Sequence, residues 1–379
     1  MISTFYVRSS RMVFLFSLLF VCTPFNAQKA KAWTPGATDE SKEKTVEQVR
    51  KNIKVLTGMP ASQLNAVMDC MATSLGVRCQ HCHVQDSAGW QFEKDDKPTK
   101  RTARKMIQMV MELNSTTFGG RNAVTCYTCH HGTTEPASMI PLPPNPPSPP
   151  HEEAESETAL PSVQQLLSAY ETALGGKDAV GKITSRVSKG VSVDLQGKES
   201  PVEILQKGPD KVVTSVTVRE GMTFAHGYNG TTGWMTSPRG PRELPADAKE
   251  DLVRQAVLFP IARIQELATK LHVNKKENVG GAVAYCLSVP LGDYRTENYY
   301  LDSATGLLLR DAIITQTMIG DIPEQTDYSD YRTTDGVKVP FVVRIAGVDP
   351  RDVSTYRFTT IEQNVAIDDS KFEMPKEKK

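Results

Sequence analysis

The pattern of apolar positions divides the chain into a helical part and a part made of short alternating runs. From Thr34 to Pro136, Met, Leu and Val recur at intervals of three and four, which predicts helices. One helix begins near Pro60 and ends at Gly76, and another covers Thr99 to Asn114. The first carries Leu64, Met68, Met71 and Leu75 on one face, and the second is predicted to bury Ala103, Met106, Ile107, Val110 and Leu113.

After residue 160 the pattern becomes that of strands. A helix from Ser162 to Leu174 comes first, and a second helical stretch, Ala246 to Leu271, is broken by Pro260. The turn from Asp302 to Gly306 predicts a hairpin between two apolar runs. The predicted strands are Val187–Leu195, Val202–Lys207, Val212–Val218, Val283–Val289, Leu307–Thr317, Val339–Ile345 and Ser354–Ile361.

The length and the proline distribution set the expected domains. A chain of 379 residues exceeds what one core usually holds. Residues 141–150 contain seven prolines in ten positions, which favours an extended spacer, and the acidic stretch His151–Glu157 continues it. We therefore expect a multidomain protein: a signal peptide at 1–32, a mainly α domain at 33–136, a linker at 137–160, and an α+β domain with an antiparallel sheet at 161–379.

The N-terminus has the layout of an export signal. Arg8 and Arg11 precede the apolar run Met12–Val21, which is too short to span a bilayer comfortably. Ala30–Ala32 fits a cleavage site but lies far from the run, and Cys22 follows a poor lipidation sequence. We expect an exported protein of the periplasm or cell envelope, with a retained membrane anchor as the alternative.

Overall charge gives no reason to expect nucleic acid as a partner. The 44 Lys and Arg residues balance the 44 Asp and Glu residues. Seven cysteines are too few to build a disulfide scaffold, so their positions are read for chemistry instead.

Two Cys-x-x-Cys-His elements are the most informative part of the sequence, and they occupy residues 79–83 and 126–130. Such an element is the attachment sequence of c-type haem. A four-cysteine zinc site does not need a histidine after each second cysteine, and a redox dithiol explains one element but not two. We therefore predict two covalently attached c-type haems. The predicted attachment residues are Cys79, Cys82, Cys126 and Cys129, with His83 and His130 as iron ligands.

Candidates for the sixth iron ligand lie close to these elements. A methionine or a second histidine normally closes an electron-transfer haem, and six of the thirteen methionines lie between Met59 and Met111. The alternative is that these methionines only pack the core. The second helix also carries basic residues that form either a solvated face or a docking patch for an acidic redox partner, namely Lys97, Lys100, Arg101, Arg104 and Lys105.

The segment from Met59 to Pro136 resembles one haem-pair unit of the cytochrome subunit of photosynthetic reaction centres. The matching stretches are SQLNAVM, CQHCH, ARKMIQMV and VTCYTCHHG. The resemblance implies Met68 as axial partner of the first haem and Met106 of the second. The chain departs from that family in having one pair, and in having His131 where an arginine is common, so we expect a non-photosynthetic relative. Ligation by His81 or His131 is the alternative to methionine.

No catalytic constellation is found after residue 160. His226 and His272 are isolated and are interpreted as ordinary surface or core residues. Cys286 lies in a strand-like run and is predicted to be buried. A disulfide between Cys286 and Cys70 would have to bridge the two domains.

The C-terminal part is similar to the exported lipoprotein-carrier family, which sorts outer-membrane lipoproteins. The stretches that carry the similarity are YNGTTGW, LDSATGLLLR and DYRTTDGVKVPF. The resemblance implies an open antiparallel half-barrel around an apolar cavity, and a lipid-like ligand. An alternative role is a scaffold that docks the haem domain to a membrane complex.

The combined expectation is an exported dihaem cytochrome that transfers single electrons to redox partner proteins and is not an enzyme. A membrane electron-transport complex is one such partner. The alternatives are a dihaem oxidoreductase such as a peroxidase, which needs an iron with an open sixth position, and a redox-sensing lipid or lipoprotein carrier.

Overall fold

The computed structural model describes residues 43–136, 138 and 160–376, except 220–221, 238–239, 245, 261–263 and 265–269. We call 43–136 the N-terminal segment and 160–376 the C-terminal segment. The predicted signal peptide with Cys22 and nearly all of the linker lie outside the described residues.

The N-terminal segment contains short and long helices and one small hairpin. A 3-10 turn at Cys79–His81 lies between the second helix and the hairpin. The hairpin was missed by the sequence analysis because each of its strands has only three residues. The elements are α1 (Val46–Val49), α2 (Gln63–Leu75), β1 (Val84–Asp86), β2 (Gly89–Gln91), α3 (Pro98–Thr116) and α4 (Cys126–His130).

Helix α2 confirms the first predicted helix. It ends at Gly76, which has the left-handed conformation (φ 65°) that glycine adopts without strain. The apolar residue that the helix buries completely is Val67, and the predicted face is only half-buried. The buried stripe of α2 is therefore centred beside the predicted face.

Helix α3 confirms the second predicted helix but corrects its buried face. Ile107 and Val110 are buried as predicted, and Asn114 continues their stripe one turn further. Met106 is 44% exposed, so its predicted burial is wrong. Since consecutive residues are about 100° apart around a helix axis, burial of Ile107 turns Met106 to the edge of the buried stripe.

The C-terminal segment is an open sheet of thirteen antiparallel strands. Its order is β8-β7-β6-β5-β4-β3-β15-β14-β13-β12-β11-β10-β9, and all neighbours pair antiparallel. The strands are β3 (Ser185–Val193), β4 (Glu199–Lys207), β5 (Lys211–Arg219), β6 (Met222–Asn229), β7 (Gly233–Ser237), β8 (Gly240–Glu243), β9 (His272–Val279), β10 (Ala282–Leu291), β11 (Arg295–Asp302), β12 (Leu308–Thr317), β13 (Gly320–Thr334), β14 (Val337–Ala346) and β15 (Ser354–Gln363).

Each of the seven predicted strands coincides with a strand of this sheet, and the antiparallel sheet itself is confirmed. The predicted hairpin joins β11 to β12, where the Asp302 carboxylate accepts from the Ala304 amide at 2.8 Å. The sequence analysis missed strands with polar alternation, above all β13 and the edge strand β9. Such strands are held by backbone pairing with their neighbours and have no strong apolar pattern of their own.

Helices cover one face of the sheet. Helix α5 (Val163–Leu174) is capped by Ser162 and ends at Gly175, as predicted, and it is followed by α6 (Lys177–Val180). The buried residues Leu167, Tyr170 and Leu174 of α5 belong to the main core, together with strand residues such as Leu308. The predicted helix Ala246–Leu271 is represented by α7 (Ala246–Ala256), and much of its remainder lies outside the described residues.

The two segments share a core at the turn between β12 and β13. Ile319 and Ile322 of this hairpin are buried in one cluster with Val67 and Ile107 of the N-terminal segment. The Asn122 side-chain amide donates to the Thr317 carbonyl at 2.9 Å. The hairpin thus forms part of the interior of the N-terminal segment.

Among the helices in the described part of the chain, none combines the length and the apolar character that a membrane span requires.

Candidate functional site

The first Cys-x-x-Cys-His element forms a tight turn at the start of the 3-10 helix. The Cys82 and His83 amides both donate to the Cys79 carbonyl, at 3.2 and 2.9 Å. Cys79 is exposed and Cys82 half-buried, and both thiols are free. The start of α3 fixes this turn, since the Thr99 hydroxyl donates to the His81 carbonyl at 2.5 Å. Both sulfurs therefore lie on one turn, as haem attachment requires.

His83 lies in an aromatic environment beside this turn. Its ring meets the ring of Phe92 edge-on at 5.1 Å, and Phe92 stacks on Trp90 at 5.5 Å. The His83 Nδ1 atom is buried and has no hydrogen-bond partner within the part of the chain that the structure describes. Burial, and then the charge of Lys100, lower the pKa of His83. The imidazole is thereby kept neutral, which is the form that ligates iron.

The second element forms helix α4. Thr125 caps it, because its hydroxyl accepts from the Thr128 amide at 3.4 Å and its amide donates to the Thr128 hydroxyl at 3.0 Å. His130 Nδ1 lies 2.9 Å from the Thr133 carbonyl oxygen. A protonated Nδ1 donates there and leaves Nε2 as the free nitrogen, the arrangement typical of metal-bound histidines. Cys126 is half-buried, Cys129 is exposed, and both are free.

The two elements meet at the end of α2. The Gly132 amide, just after the second element, donates to the Ser74 carbonyl at 2.9 Å. A Cβ atom built on Gly76 would lie 2.1 Å from the Gly132 carbonyl oxygen, so the backbones touch at this point. The Cys126 thiol has a raised pKa because it is buried and also because Cys70 of α2 lies near it. Helix α2 therefore leads into the first element and packs on the second.

The methionines proposed as sixth ligands differ in their surroundings. Met68 is half-buried against the cluster that the two segments share. Met106 is 44% exposed and Met109 50% exposed, on the outer side of α3. The assignment of Met68 and Met106 as ligands stays a prediction.

Two of the basic residues of α3, Lys100 and Arg104, are engaged within the N-terminal segment. Lys100 is 8% exposed and donates to the carbonyls of Phe92 and Lys94, both at 2.7 Å. Arg104 and Lys100 pair with Asp95 at 2.9 and 3.1 Å. Hydrogen bonds from Arg104, Lys54 and Asn52 hold the pKa of Asp95 well below its usual range. These cations therefore fix the loop between the hairpin and α3, which the sequence analysis did not foresee.

Nowhere in the described residues do three or more His, Cys, Asp or Glu side chains come together as metal ligands. His226 has a lowered pKa because of burial, and His272 is exposed at the start of β9. Cys286 is buried in β10 as predicted, and it and Cys70 are both free thiols.

Sequence reasoning missed the residues that support the two elements. Thr133 can be found from sequence, because a ligating histidine needs an acceptor for its second nitrogen and a carbonyl three residues away is in reach. Asp349 could not be found, since it is 271 positions from Arg78, which it approaches at 3.6 Å. Asp349 also accepts from Arg351, whose guanidinium lies 3.7 Å from Asp69 of α2.

Comparison with known proteins supports the predicted resemblance of the N-terminal segment. Residues 22–171 match the family described as "Photosynthetic reaction centre cytochrome C subunit". The photosynthetic reaction center cytochrome c subunit of Roseobacter denitrificans is 31% identical over 107 residues, covering 26% of this chain and 29% of that protein. Cytochrome c-554 of Chloroflexus aurantiacus is 34% identical over 86 residues, covering 21% of this chain and 20% of that protein. The chain thus spans less than a third of the curated relatives that it matches.

Solved structures resemble the other part of the chain. A DUF1329 family protein from Desulfovibrio piger has a TM-score of 0.42 at 15% identity, covering 56% of this chain and 98% of that one. A LolA superfamily protein from Nitrosomonas europaea has a TM-score of 0.39 at 13% identity, covering 56% of this chain and 98% of that one. Likenesses this distant carry no conclusion about the function of the C-terminal segment.

Proposed function

We propose that the chain is an exported dihaem c-type cytochrome that transfers single electrons between redox partner proteins of the cell envelope. The observation that carries the proposal is the pair of Cys-x-x-Cys-His turns, which meet at the C-terminal end of helix α2. The similarity of this region to reaction-centre cytochrome subunits supports it independently.

The residues present fit a covalently attached haem at each turn. Cys79 and Cys82 would hold the first haem, and Cys126 and Cys129 the second. When bound, haem iron accepts and releases one electron without making or breaking a covalent bond. The chain's own contribution includes orienting the histidine of the second turn, because the Thr133 carbonyl lies 2.9 Å from His130 Nδ1.

The sixth position of each iron is assigned to a methionine in this proposal, Met68 for the first haem and Met106 for the second. Met106 is 44% exposed, so its thioether is not held in the core. Methionine ligation raises the reduction potential of a haem and closes its second face. The chain is therefore proposed to be an electron carrier and not a peroxidase.

We assign to the C-terminal segment a scaffold role for the haem pair. Its hairpin contributes Ile319 and Ile322 to the core under α2 and α3. Gly320 of the same hairpin lies against Thr125, the cap of α4. One strand connection thus supports the helices of both haem sites.

The haem proposal is tested on the full chain produced in a host that matures c-type cytochromes. Intact mass and the pyridine haemochrome spectrum should both report two haems per chain. Replacing both Cys79 and Cys82 by alanine should leave one haem, and replacing both Cys126 and Cys129 should leave the other. A wild-type mass equal to that of the bare polypeptide would reject the proposal.

The enzyme alternative is distinguished by ligand access to iron. A dihaem peroxidase needs one iron that binds an exogenous ligand. We expect the reduced protein to show two low-spin haems that do not bind carbon monoxide. Rapid carbon monoxide binding by one haem of the undamaged protein would favour the enzyme over the electron carrier.

A further inference from the structure

A cavity of about 490 Å³ lies between the sheet and its helices. This volume is typical of sites for small molecules. Its wall extends from the strands to Ala66 and Asp69 of helix α2. Apolar side chains form much of this wall, including Leu174, Ile204, Val212, Leu308, Phe358 and Ile361.

Arg186 of strand β3 lines this cavity, and the residue is only 8% exposed. Its Nη1 donates to the Leu258 carbonyl at 2.9 Å, and its guanidinium lies 4.6 Å from the centroid of the Phe259 ring. Its Nε and Nη2 atoms are buried and have no hydrogen-bond partner among the described residues. Because buried donors are nearly always paired in native proteins, two unpaired donors on one side chain need an explanation.

Among the described residues, no carboxylate acts as a counter-charge to this guanidinium. Burial lowers the pKa of Arg186 to about 10, so the side chain stays protonated at neutral pH. The side chains whose charge acts on it are the phenols of Tyr170 and Tyr331. Burial raises the pKa of both phenols, so both are neutral. A buried cation beside neutral groups alone is unfavourable unless an anion joins it.

Two carboxyl groups of the cavity, those of Asp311 and Asp251, are paired with residues other than Arg186. Asp311 accepts from the Tyr328 hydroxyl at 2.5 Å. Asp251 pairs with Arg254 and lies 3.7 Å from Arg295. The carboxyl groups that line the cavity are Asp69, Asp251, Glu297, Asp311 and Glu324.

We propose that Arg186 binds the anionic head of an amphiphile whose apolar body lies along the cavity wall. The Nε–H and Nη2–H donors point along one edge of the planar guanidinium and match two oxygens of a carboxylate or phosphate. The Leu258 carbonyl and the Phe259 ring hold the plane in place from its other sides. This site is independent of the haem proposal, because its ligand is neither a redox partner nor attached to the haem elements.

The proposal is tested by equilibrium dialysis of the delipidated full-length haem protein, below micelle-forming concentrations, at pH 7. The probes are hexadecanoate, hexadecyl phosphate and hexadecanol, which share one chain and differ in the head. We expect one or both anions to bind ten- to one-hundred-fold more tightly than the alcohol, the range for hydrogen bonds to a charged group. The tighter anion identifies a carboxylate or a phosphate as the natural head.

Two variants test whether Arg186 causes the preference for the anions. Arg186→Met should bind hexadecanol like the wild type and lose the preference for the anions. Arg310→Met is the matched control, since Arg310 pairs with Asp327 and does not line the cavity, and it should keep the preference. Equal binding of acid and alcohol by the wild type overturns the proposal, because ordered water would then satisfy the guanidinium. A preference that survives in Arg186→Met overturns it as well. The haem spectrum recorded in parallel reports on the haem proposal separately.

Discussion

The contact between Gly76 and Gly132 predicts a specific response to adding one methyl group. Gly76 has φ +65°, and a Cβ atom there would lie 2.1 Å from the Gly132 carbonyl oxygen. Ordinary contact begins at 3.4 Å, so the two backbones would have to move apart by about 1.3 Å. That displacement would also stretch the hydrogen bond from the Gly132 amide to the Ser74 carbonyl.

The expected magnitude has two parts. A residue with a side chain in the left-handed conformation costs about 1 to 2 kcal/mol. Forcing apart a close-packed contact costs about 1 to 3 kcal/mol more. Gly76→Ala should therefore lower the free energy of unfolding by about 2 to 5 kcal/mol.

Gly119→Ala separates these two parts. Gly119 has φ +62°, nearly that of Gly76, but nothing lies within 4 Å of a Cβ atom built on it. We expect this control to lose only about 1 to 2 kcal/mol. The assay is urea denaturation of the haem-loaded protein, followed by circular dichroism and by the Soret band. Equal destabilisation in the two variants would refute the close approach of Gly76 to Gly132.

The remaining predictions concern a ligand and a buried carboxyl group. Met106→Ala should open one iron to carbon monoxide and lower its reduction potential. Met109→Ala replaces a methionine that is also exposed on the same helix, and it should leave the spectra of both haems unchanged. Identical spectra for the two variants would reject Met106 as an iron ligand. Burial raises the pKa of Asp311 from 3.8 to about 6, so the folded protein loses stability as pH rises through 6. Asp311→Asn should therefore raise the free energy of unfolding by about 1 to 3 kcal/mol at pH 7.5 and by little at pH 4. The same stability difference between variant and wild type at both pH values would contradict this.

The sequence predicted local features well because their causes are local. Helix α2 ends where Gly76 permits the left-handed turn, and α5 begins where Ser162 supplies a cap. The Cys-x-x-Cys-His spacing likewise predicts a turn closed by its own backbone, as the hydrogen bonds from the Cys82 and His83 amides to the Cys79 carbonyl show. Strand β13 was missed because its sequence is polar and its stability comes from pairing with β12 and β14.

Features that depend on distant residues could not be predicted. Met106 is exposed because α3 packs the stripe of Ile107 into the shared core. That core includes Ile319, which lies more than two hundred positions later in the chain. The sequence analysis placed Lys100 in a solvated face or a docking patch. No neighbouring residue in the sequence indicated that two carbonyls and Asp95 would surround its ammonium group. The sequence analysis did not single out Arg186, because its buried environment exists only once Leu258 and Phe259 pack against it.

Helix α2 is the element that brings these distant features together. Val67 packs in the core shared with the β12–β13 hairpin, Ala66 and Asp69 line the cavity of Arg186, and Cys70 lies near Cys126 of the second Cys-x-x-Cys-His element. Close-packed interiors transmit strain, so a displacement at one of these contacts is transmitted to the others. The hairpin, the cavity and the second Cys-x-x-Cys-His element therefore constrain one another through about one and a half turns of helix, although the residues involved are spread over most of the chain.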